Sequence, residues 1–534
     1  MQYQWDGEAD VVVVGFGGAG ACAAIEAADE GASVVVLERF NGGGATALSG
    51  GVVYAGGGTR YQQAAGINDT PENMFAYLQQ EVQGAVSDET LHRFCEESQE
   101  TITWLEQQGV PFEASLCPFK TSYPTDAYYL YYSGNELSTP YTAYTTPAPR
   151  GHRTKGPGTS GKVLFARLAD SARRKGVRVY TQAPVQHLLT DDNGQVVGVE
   201  YKTISPERQR LLRQLTSMTS KLSFYAPPLA EPLNAWIRSL EASTGTIQRI
   251  RARRGVILAA GGFIFDRKMV ATYAPNYLRG LPLGTIADDG VGIQLGQEAG
   301  GIVTKLDHIS AWRFLAPPVS MTRGVLVDDN GQRVCNETWY GDTIGRRIIE
   351  KHDGHAWLIL DQTLFERVKA EAPGQSSFFQ LPQVRFLLAL GNKKADTLIE
   401  LADMVQISRS GLQTTIESYN NAARAGDADS MGKAREYVQP LDRAPFYAID
   451  CSLDASPFFP CATMTLGGLV VDEDSGLVKR ADGSTIQGLY AAGRTAAGLC
   501  ANAYVSGLSI ADCIFSGRRA GRHAARSAIA NALT

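Results

Sequence analysis

Four consecutive valines, Val11–Val14, run straight into Gly15-Phe-Gly-Gly-Ala-Gly20, and a second apolar run, Val34–Leu37, closes on Glu38. Residues of these types at this spacing can hold a dinucleotide. Gly15 permits a tight turn at the end of a buried strand, Gly17 lets the backbone approach a pyrophosphate, and Gly20 lets the following helix lie close to the strand. Gly18 and Ala19 lie within the turn, and the small-residue helix expected at Ala21–Ala28 offers unpaired N–H groups and a positive dipole end to phosphates at its N-terminus. Glu38, with Arg39 beside it, stands where a ribose 2′-hydroxyl would be held. An acid there disfavours a 2′-phosphate, so FAD or NAD fits better than NADP. Glycine clusters also serve as plain turns; the specificity lies in strand, helix, strand and acid occurring in register.

Later segments choose between the two. The loop Gly42-Gly-Gly-Ala-Thr-Ala-Leu-Ser-Gly-Gly51, with Ala45, Thr46, Ser49, Gly50 and Gly51, leaves backbone N–H groups uncovered for phosphates and an isoalloxazine edge. Val256–Phe263 repeats the strand-to-glycine form at Ala260 and Gly261, and Gly488–Arg494 repeats it at Gly493 and Arg494. A nicotinamide enzyme usually needs only the first such turn. A chain that returns to its N-terminal fold near its C-terminus points to FAD. No His or Cys stands in a recognisable attachment context, so the flavin is expected to be non-covalent.

These turns require a particular scaffold. The sequence predicts a discontinuous, Rossmann-like α/β domain in two parts, 1–283 and 446–534, with an α+β capping and catalytic domain at 284–445 inserted between them. Helices are expected at 71–82, 88–108, 163–175 and 292–299, with further helices at 360–370 and 397–423. Gly324–Gly331 reads as a hairpin with an Asn-Gly turn. Residues 205–248 interrupt the sheet. Within them Leu211, Leu215, Met218 and Leu222 fall on one helical face, Arg208, Arg210, Arg213 and Lys221 supply positive charge, and Trp236 follows in a second amphipathic piece. This basic hairpin is expected either to touch a membrane surface or to pack on the body or on another subunit.

Composition narrows the class. The 534 residues carry a net charge of −5, with 44% hydrophobic and 20% charged residues, which describes an ordinary globular chain of several domains. No basic stripe suggests nucleic acid. The eight cysteines contain no CxxC pair and the seven histidines no ligand spacing, so neither a disulfide framework nor a metal site is expected. With no leader pattern and no apolar run of membrane-spanning length, the expected setting is cytoplasmic, with peripheral contact at the inner membrane face if the hairpin serves as a foot.

Taken in order, Gly15–Gly20 with Glu38, Gly44–Gly51, Ala259–Phe263, Asp289-Gly-Val-Gly-Ile293, Asn330–Glu337, Thr465-Leu-Gly-Gly-Leu469 and Gly488–Arg494 resemble the fumarate reductase/succinate dehydrogenase flavoprotein superfamily, especially its 3-ketosteroid dehydrogenase branch. The resemblance spans nearly the whole chain except 205–248. It implies an FAD domain, a capping domain and a substrate trapped between them. Soluble fumarate reductases place a His before the Thr-x-Gly-Gly turn and arginines around the substrate. Here Ala462-Thr-Met464 precedes the turn, and Cys500–Ser509 lacks any Arg. A dicarboxylate would have no cations to offset its desolvation.

Phenols and hydroxyls stand in place of those charges. Tyr504-Val-Ser-Gly507 precedes the final helix, whose N-terminal end points at the flavin in this superfamily, so Ser506 and Leu508 join the expected cofactor contacts. Tyr340 follows the capping hairpin, and Tyr131 and Tyr132 lie in a tyrosine-rich loop. Such a cleft suits a rigid hydrophobic ketone. Tyr504-x-Ser506-Gly507, with the Tyr132-Ser-Gly-Asn-Glu136 loop, resembles the Δ4-(5α)-dehydrogenases more closely than the Δ1 enzymes, which usually carry a Tyr-Pro-Gly-type run. The expected reaction removes a proton alpha to a 3-ketone and a hydride from the beta carbon. Tyr504 and a backbone N–H near Gly507 would polarise the ketone. Ser506 and Tyr340 would share the proton path, through a phenol of depressed pKa, with either as base. Tyr131, Tyr132, Tyr340, Tyr504 and Gly507 would line the substrate, and an external quinone-like acceptor would take the electrons. A Δ1-dehydrogenase or another enone-forming or enone-reducing flavin oxidoreductase is the alternative; a flavoprotein electron-transfer subunit is a second.

Overall fold

Val11, Val12 and Val13 are fully buried and Val14 nearly so, a demand that only an interior strand covered on both faces satisfies. The computed structural model describes residues 3–225, 227–242 and 245–527; the side chains of 206, 220–229 and 242 lie outside that description. Strand β1 (Gly7–Val14) runs parallel to β2 (Val34–Glu38) on one side, and β3 (Arg178–Thr181) extends the sheet beyond β2. On the other side β1 pairs in parallel with β4 (Thr246–Leu258), and β4 with β5 (Thr485–Ala491). Val11 stands opposite both Val34 and Gly255. Strands 185–190 and 196–203 form an antiparallel ribbon attached to β4. All three strand-to-glycine turns foreseen in the sequence therefore come to one edge of a single mixed sheet.

Helix α1 (Gly18–Asp29) covers one face together with a helix at 508–526. The helix over 71–82 occupies its expected span, with Thr70 accepting from Asn73 N. The helix expected over 88–108 is two, Asp88–Glu96 and Ser98–Gln107, joined through Glu97.

The inserted unit has its own core around a four-stranded antiparallel sheet, ordered 325–327, 357–360, 446–450, 392–395. The return to the flavin fold expected at Phe446 thus falls inside this sheet, because Phe446–Asp450 pairs with strands on both sides. Of the expected Asn-Gly hairpin, the strand 325–327 and the turn form, and Asp328 accepts from Asn330 N and Gln332 N. The returning arm shrinks to a single bridge, Val327–Arg333, since Arg333 is drawn to Glu337 and Asp429.

The interrupting hairpin consists of α2 (Pro206–Tyr225) and α3 (Pro227–Ala242). Its buried stripe differs from the expected one. Leu212, Leu215 and Ile237 pack on Phe40, Ile204 and Ile286, whereas Leu211, Met218 and Trp236 are exposed; the side chains of Lys221 and Leu222 are not described. With leucines at 211, 212 and 215, helical spacing permits two neighbouring stripes, and the position of Phe40 selects between them. Among the described residues no helix is long and apolar enough to cross a membrane, and no group of three or more His, Cys, Asp or Glu is placed to hold a metal.

Candidate active site

One cleft of about 1210 Å³ runs from the Gly15–Gly20 turn to Tyr504 and out past Phe379 and Phe459. That exceeds the roughly 300–1,000 Å³ of a pocket for one drug-sized ligand, so the cleft has room for a dinucleotide and a second molecule. Its lining is mainly apolar at the Tyr504 end and mainly backbone at the Gly15 end.

The glycine turn is built as its residues require. Gly15 has φ +99°, and a Cβ there would lie 2.6 Å from the Ala259 carbonyl oxygen; a Cβ on Gly20 would lie 2.0 Å from Gly15 O. Gly17 is different, since a Cβ there would meet nothing nearer than 3.9 Å, which leaves backbone facing open cleft where a pyrophosphate would approach. Thr46 Oγ1 accepts from Gly18 N at 3.1 Å and locks the second glycine loop onto the turn. Glu38 is buried and accepts from Phe16 N at 2.8 Å and Phe40 N at 2.7 Å. Burial raises its pKa while those amides oppose the shift. Arg494 donates to Asp288 at 2.5 Å through one terminal nitrogen, and its other, Nη1, is buried without a partner. An unsatisfied guanidinium N–H beside Gly262 is a donor suited to an anionic or carbonyl-bearing ligand. These residues fit FAD.

At the other end the hydroxyls converge from separate parts of the chain. Gly507, at φ +91°, caps α5 (Leu508–Arg526), the helix packed on α1, and the preceding turn carries Tyr504 and Ser506 into the cleft. Tyr340 stands at the N-cap of α4 (Gly341–Lys351) in the inserted unit. The rings of Tyr340 and Tyr504 are 6.2 Å apart, and Tyr504 stacks on Trp312 at 5.4 Å and 15°. Ser506 Oγ lies 3.0 Å from the Tyr131 hydroxyl, and its hydroxyl opposes the upward shift of the Tyr340 pKa. The Gly507 amide opposes the upward shift of the Tyr504 pKa. Burial pushes the pKa values of Tyr131, Tyr340 and Tyr504 upward. The expected phenol of depressed pKa is therefore absent from this group: apolar walls penalise phenolate more than one amide and one serine stabilise it.

Two buried groups fix this arrangement, and neither was singled out in the sequence. Asp342 accepts from Tyr504 N at 3.1 Å and Ala311 N at 3.0 Å, tying the inserted unit to the Tyr504 turn. Asn135 accepts from Tyr340 N at 2.6 Å and donates to Glu81 at 2.7 Å. Burial pushes the Glu81 carboxyl up to about 7. Ser133 and Ser506 exchange backbone contacts, Ser506 N to Ser133 O at 3.1 Å and Ser133 Oγ to Ser506 O at 3.0 Å.

Of the residues read from the sequence, Gly15, Gly17, Gly18, Ala19, Glu38, Arg39, Ala45, Thr46, Ser49, Gly50, Ala260, Gly261, Gly493, Arg494, Tyr340, Tyr504, Ser506 and Gly507 line the cleft. Gly20, Gly51 and Leu508 stand behind that lining. Tyr131 is buried behind Ser506 and Tyr132 lies away from the cleft, so neither forms the wall expected of it. Arg39 reaches the cleft, but its guanidinium is held by Glu241 and Asp289. The apolar wall comes instead from Trp312, Phe314, Phe379, Phe459 and Met464, residues that carry no chemical signature in the sequence.

Comparison with known proteins agrees with this geometry. The FAD binding domain family model matches residues 10–507. The chain is 39% identical over 509 residues to the 3-oxo-5-alpha-steroid 4-dehydrogenase of Comamonas testosteroni, covering 92% of this chain and 93% of that protein. It is 27% identical to a 3-oxosteroid 1-dehydrogenase of Mycolicibacterium smegmatis, covering 94% and 95%. Among solved structures, the 3-ketosteroid-delta4-(5alpha)-dehydrogenase of Rhodococcus jostii RHA1 in complex with 4-androstene-3,17-dione superposes with a TM-score of 0.83 at 35% identity, covering 98% of each chain. The chain belongs to the FAD-binding flavoprotein oxidoreductases, in their 3-ketosteroid dehydrogenase branch.

Proposed function

We propose that the chain is an FAD-dependent dehydrogenase that introduces the Δ4 double bond into 5α-3-ketosteroids. The observation that carries this reading is the meeting of Tyr504, Ser506 and Tyr340 at the closed end of one apolar cleft. Its walls offer hydroxyls for a ketone and aromatic faces for fused rings. When bound, FAD would supply the hydride acceptor for carbon 5, and an external, quinone-like acceptor would take the electrons.

The chain's own residues handle the ketone and the proton. Tyr504, kept neutral by burial and stacked on Trp312, donates to the 3-keto oxygen as negative charge develops there. A preorganised donor of this kind is worth about 3–4 kcal/mol in comparable oxyanion sites. Ser506 Oγ takes the carbon 4 proton while its own hydroxyl proton moves on through the Tyr340 hydroxyl, each group giving up one proton as it gains one, so that the net proton leaves to solvent and both end neutral. With all the phenols kept neutral, a hydroxyl relay replaces a phenolate base. Trp312, Phe314, Phe379 and Phe459 exclude water and hold the ring system flat. The Δ4 assignment rests on the Tyr504-x-Ser506-Gly507 run together with the higher identity to the 4-dehydrogenase than to the 1-dehydrogenase.

Incubating the enzyme with 5α-saturated, 5β-saturated and Δ4 3-ketosteroids and an artificial acceptor tests the assignment. Consumption of the 5α compounds to Δ4 products is expected. A double bond at carbon 1, or turnover of the Δ4 compounds alone, would overturn it. We also propose peripheral membrane contact through the outward face of the hairpin, where Leu211, Met218 and Trp236 are exposed alongside Arg210 and Arg213. Co-sedimentation with anionic liposomes at low salt is the expected result, and its absence would leave that face without a lipid role.

A further inference from the structure

The α2–α3 hairpin lies outside the motifs shared with the family, yet its inner face is part of the cleft. Thr216, Thr219, Asn234, Arg238 and Glu241 line the same cavity as Glu38, beside Lys202 and the 183–186 segment. The hairpin is stitched to the end of β2. Arg39 grips Glu241 through Nε at 3.0 Å and Nη2 at 3.1 Å, Lys202 donates to Glu241 O at 2.9 Å, and Asn41 donates to Arg213 O at 3.1 Å. Arg39 thus serves to hold a wall in place rather than a phosphate.

Behind that wall Asn234 is 3% exposed, and its Oδ1 has no hydrogen-bond partner. A buried amide left half unused is rare and calls for a ligand. Its place decides which part of the ligand. The glycine turn fixes the pyrophosphate, Glu38 the adjacent ribose, and the Tyr504 end the flavin ring, so the compartment beyond Glu38 receives the base. The free atom is an acceptor, the partner that the exocyclic amino group of adenine needs.

We infer that the hairpin is the adenine lid of the FAD site, with Asn234 reading the edge of the base. The inference concerns the cofactor alone and stands independently of which steroid bond is oxidised. It is tested by titrating stripped protein with FAD and with FMN, following flavin fluorescence, alongside thermal unfolding of the apoprotein. Asn234→Ala should weaken FAD by about tenfold, the scale of one buried hydrogen bond, while FMN affinity and apoprotein melting stay as in the wild type. Replacing residues 206–242 by a Gly-Ser linker gives a second reading. If it retains FMN binding but loses the preference for FAD over FMN, the lid is supported. A linker variant, or Asn234→Ala, that keeps the full preference for FAD overturns it, as does equal weakening of FAD and FMN.

Discussion

At its Gly15–Gly20 end the cleft is walled by backbone, and the charged groups there are held in partnerships, Arg39 with Glu241 and Arg494 with Asp288. At its Tyr504 end the wall is side chain, and the polar groups are hydroxyls kept neutral by burial. The difference shows how one cavity can hold a dianionic cofactor and a neutral, apolar substrate without either invading the other's place. Partnered charges and amides suit phosphate, whereas an uncharged aromatic wall costs a steroid no desolvation of ions.

The comparison breaks most visibly at Tyr504. Tyr504→Phe keeps the ring against Trp312 but removes the donor, and turnover should fall by about a hundredfold to a thousandfold. The visible spectrum of the bound flavin should stay intact; wild-type turnover would reduce Tyr504 to packing.

The same burial that keeps the phenols neutral acts on His152, whose ring lies within hydrogen-bond distance of Thr59 Oγ1 and Arg150 O. Its pKa is pushed down to about 4 from an ordinary 6.5. A base depressed in the folded state contributes stability that is fully present above pH 6.5 and is lost as pH falls through 4. The loss approaches roughly 3 kcal/mol for a shift of this size. Melting temperature measured across that window should drop, and His152→Gln should flatten the slope.

Asp342 sharpens the comparison because it joins the two units rather than touching either ligand. Asp342→Asn should lower kcat about tenfold, the scale of a weakened charged hydrogen bond, with KM little changed. Asp342→Glu should restore part of the loss if position is what matters. The smallest expected effect is an absence of slope. With Tyr131, Tyr340 and Tyr504 all shifted upward, kcat should show no limb from phenol ionisation between pH 7 and 9, and a rise through that range would assign a phenolate base.

The cofactor half was legible because its chemistry is carried by local spacing: the Gly15–Gly20 turn, Glu38, Ala260–Gly261 and Gly493–Arg494 all reach one sheet edge. Tyr340, Tyr504 and Ser506 were legible through resemblance rather than spacing, and they do meet. Asp342 and Asn135 were not legible, since a single Asp or Asn acquires its role only when another segment brings a backbone N–H to it. Tyr131 was misplaced for a related reason: strand alternation says that it is buried, but not whether it faces the cleft or the back of Ser506. The apolar wall, from Trp312 to Phe459, is assembled from residues far apart in the chain whose types fit any core.

Helix α5 lies on α1 with almost nothing between the backbones. A Cβ on Gly517 would sit 2.5 Å from Ala19 O, and one on Gly521 2.3 Å from Ala23 O. Strand β5, just before it, completes the parallel sheet. Helix α1 is thus covered by one made some five hundred residues later. At roughly 5–20 residues per second, a nascent chain spends tens of seconds with the Ala-rich face of α1 and the β4 edge uncovered. The face that α5 covers stays open to wrong contacts for that interval.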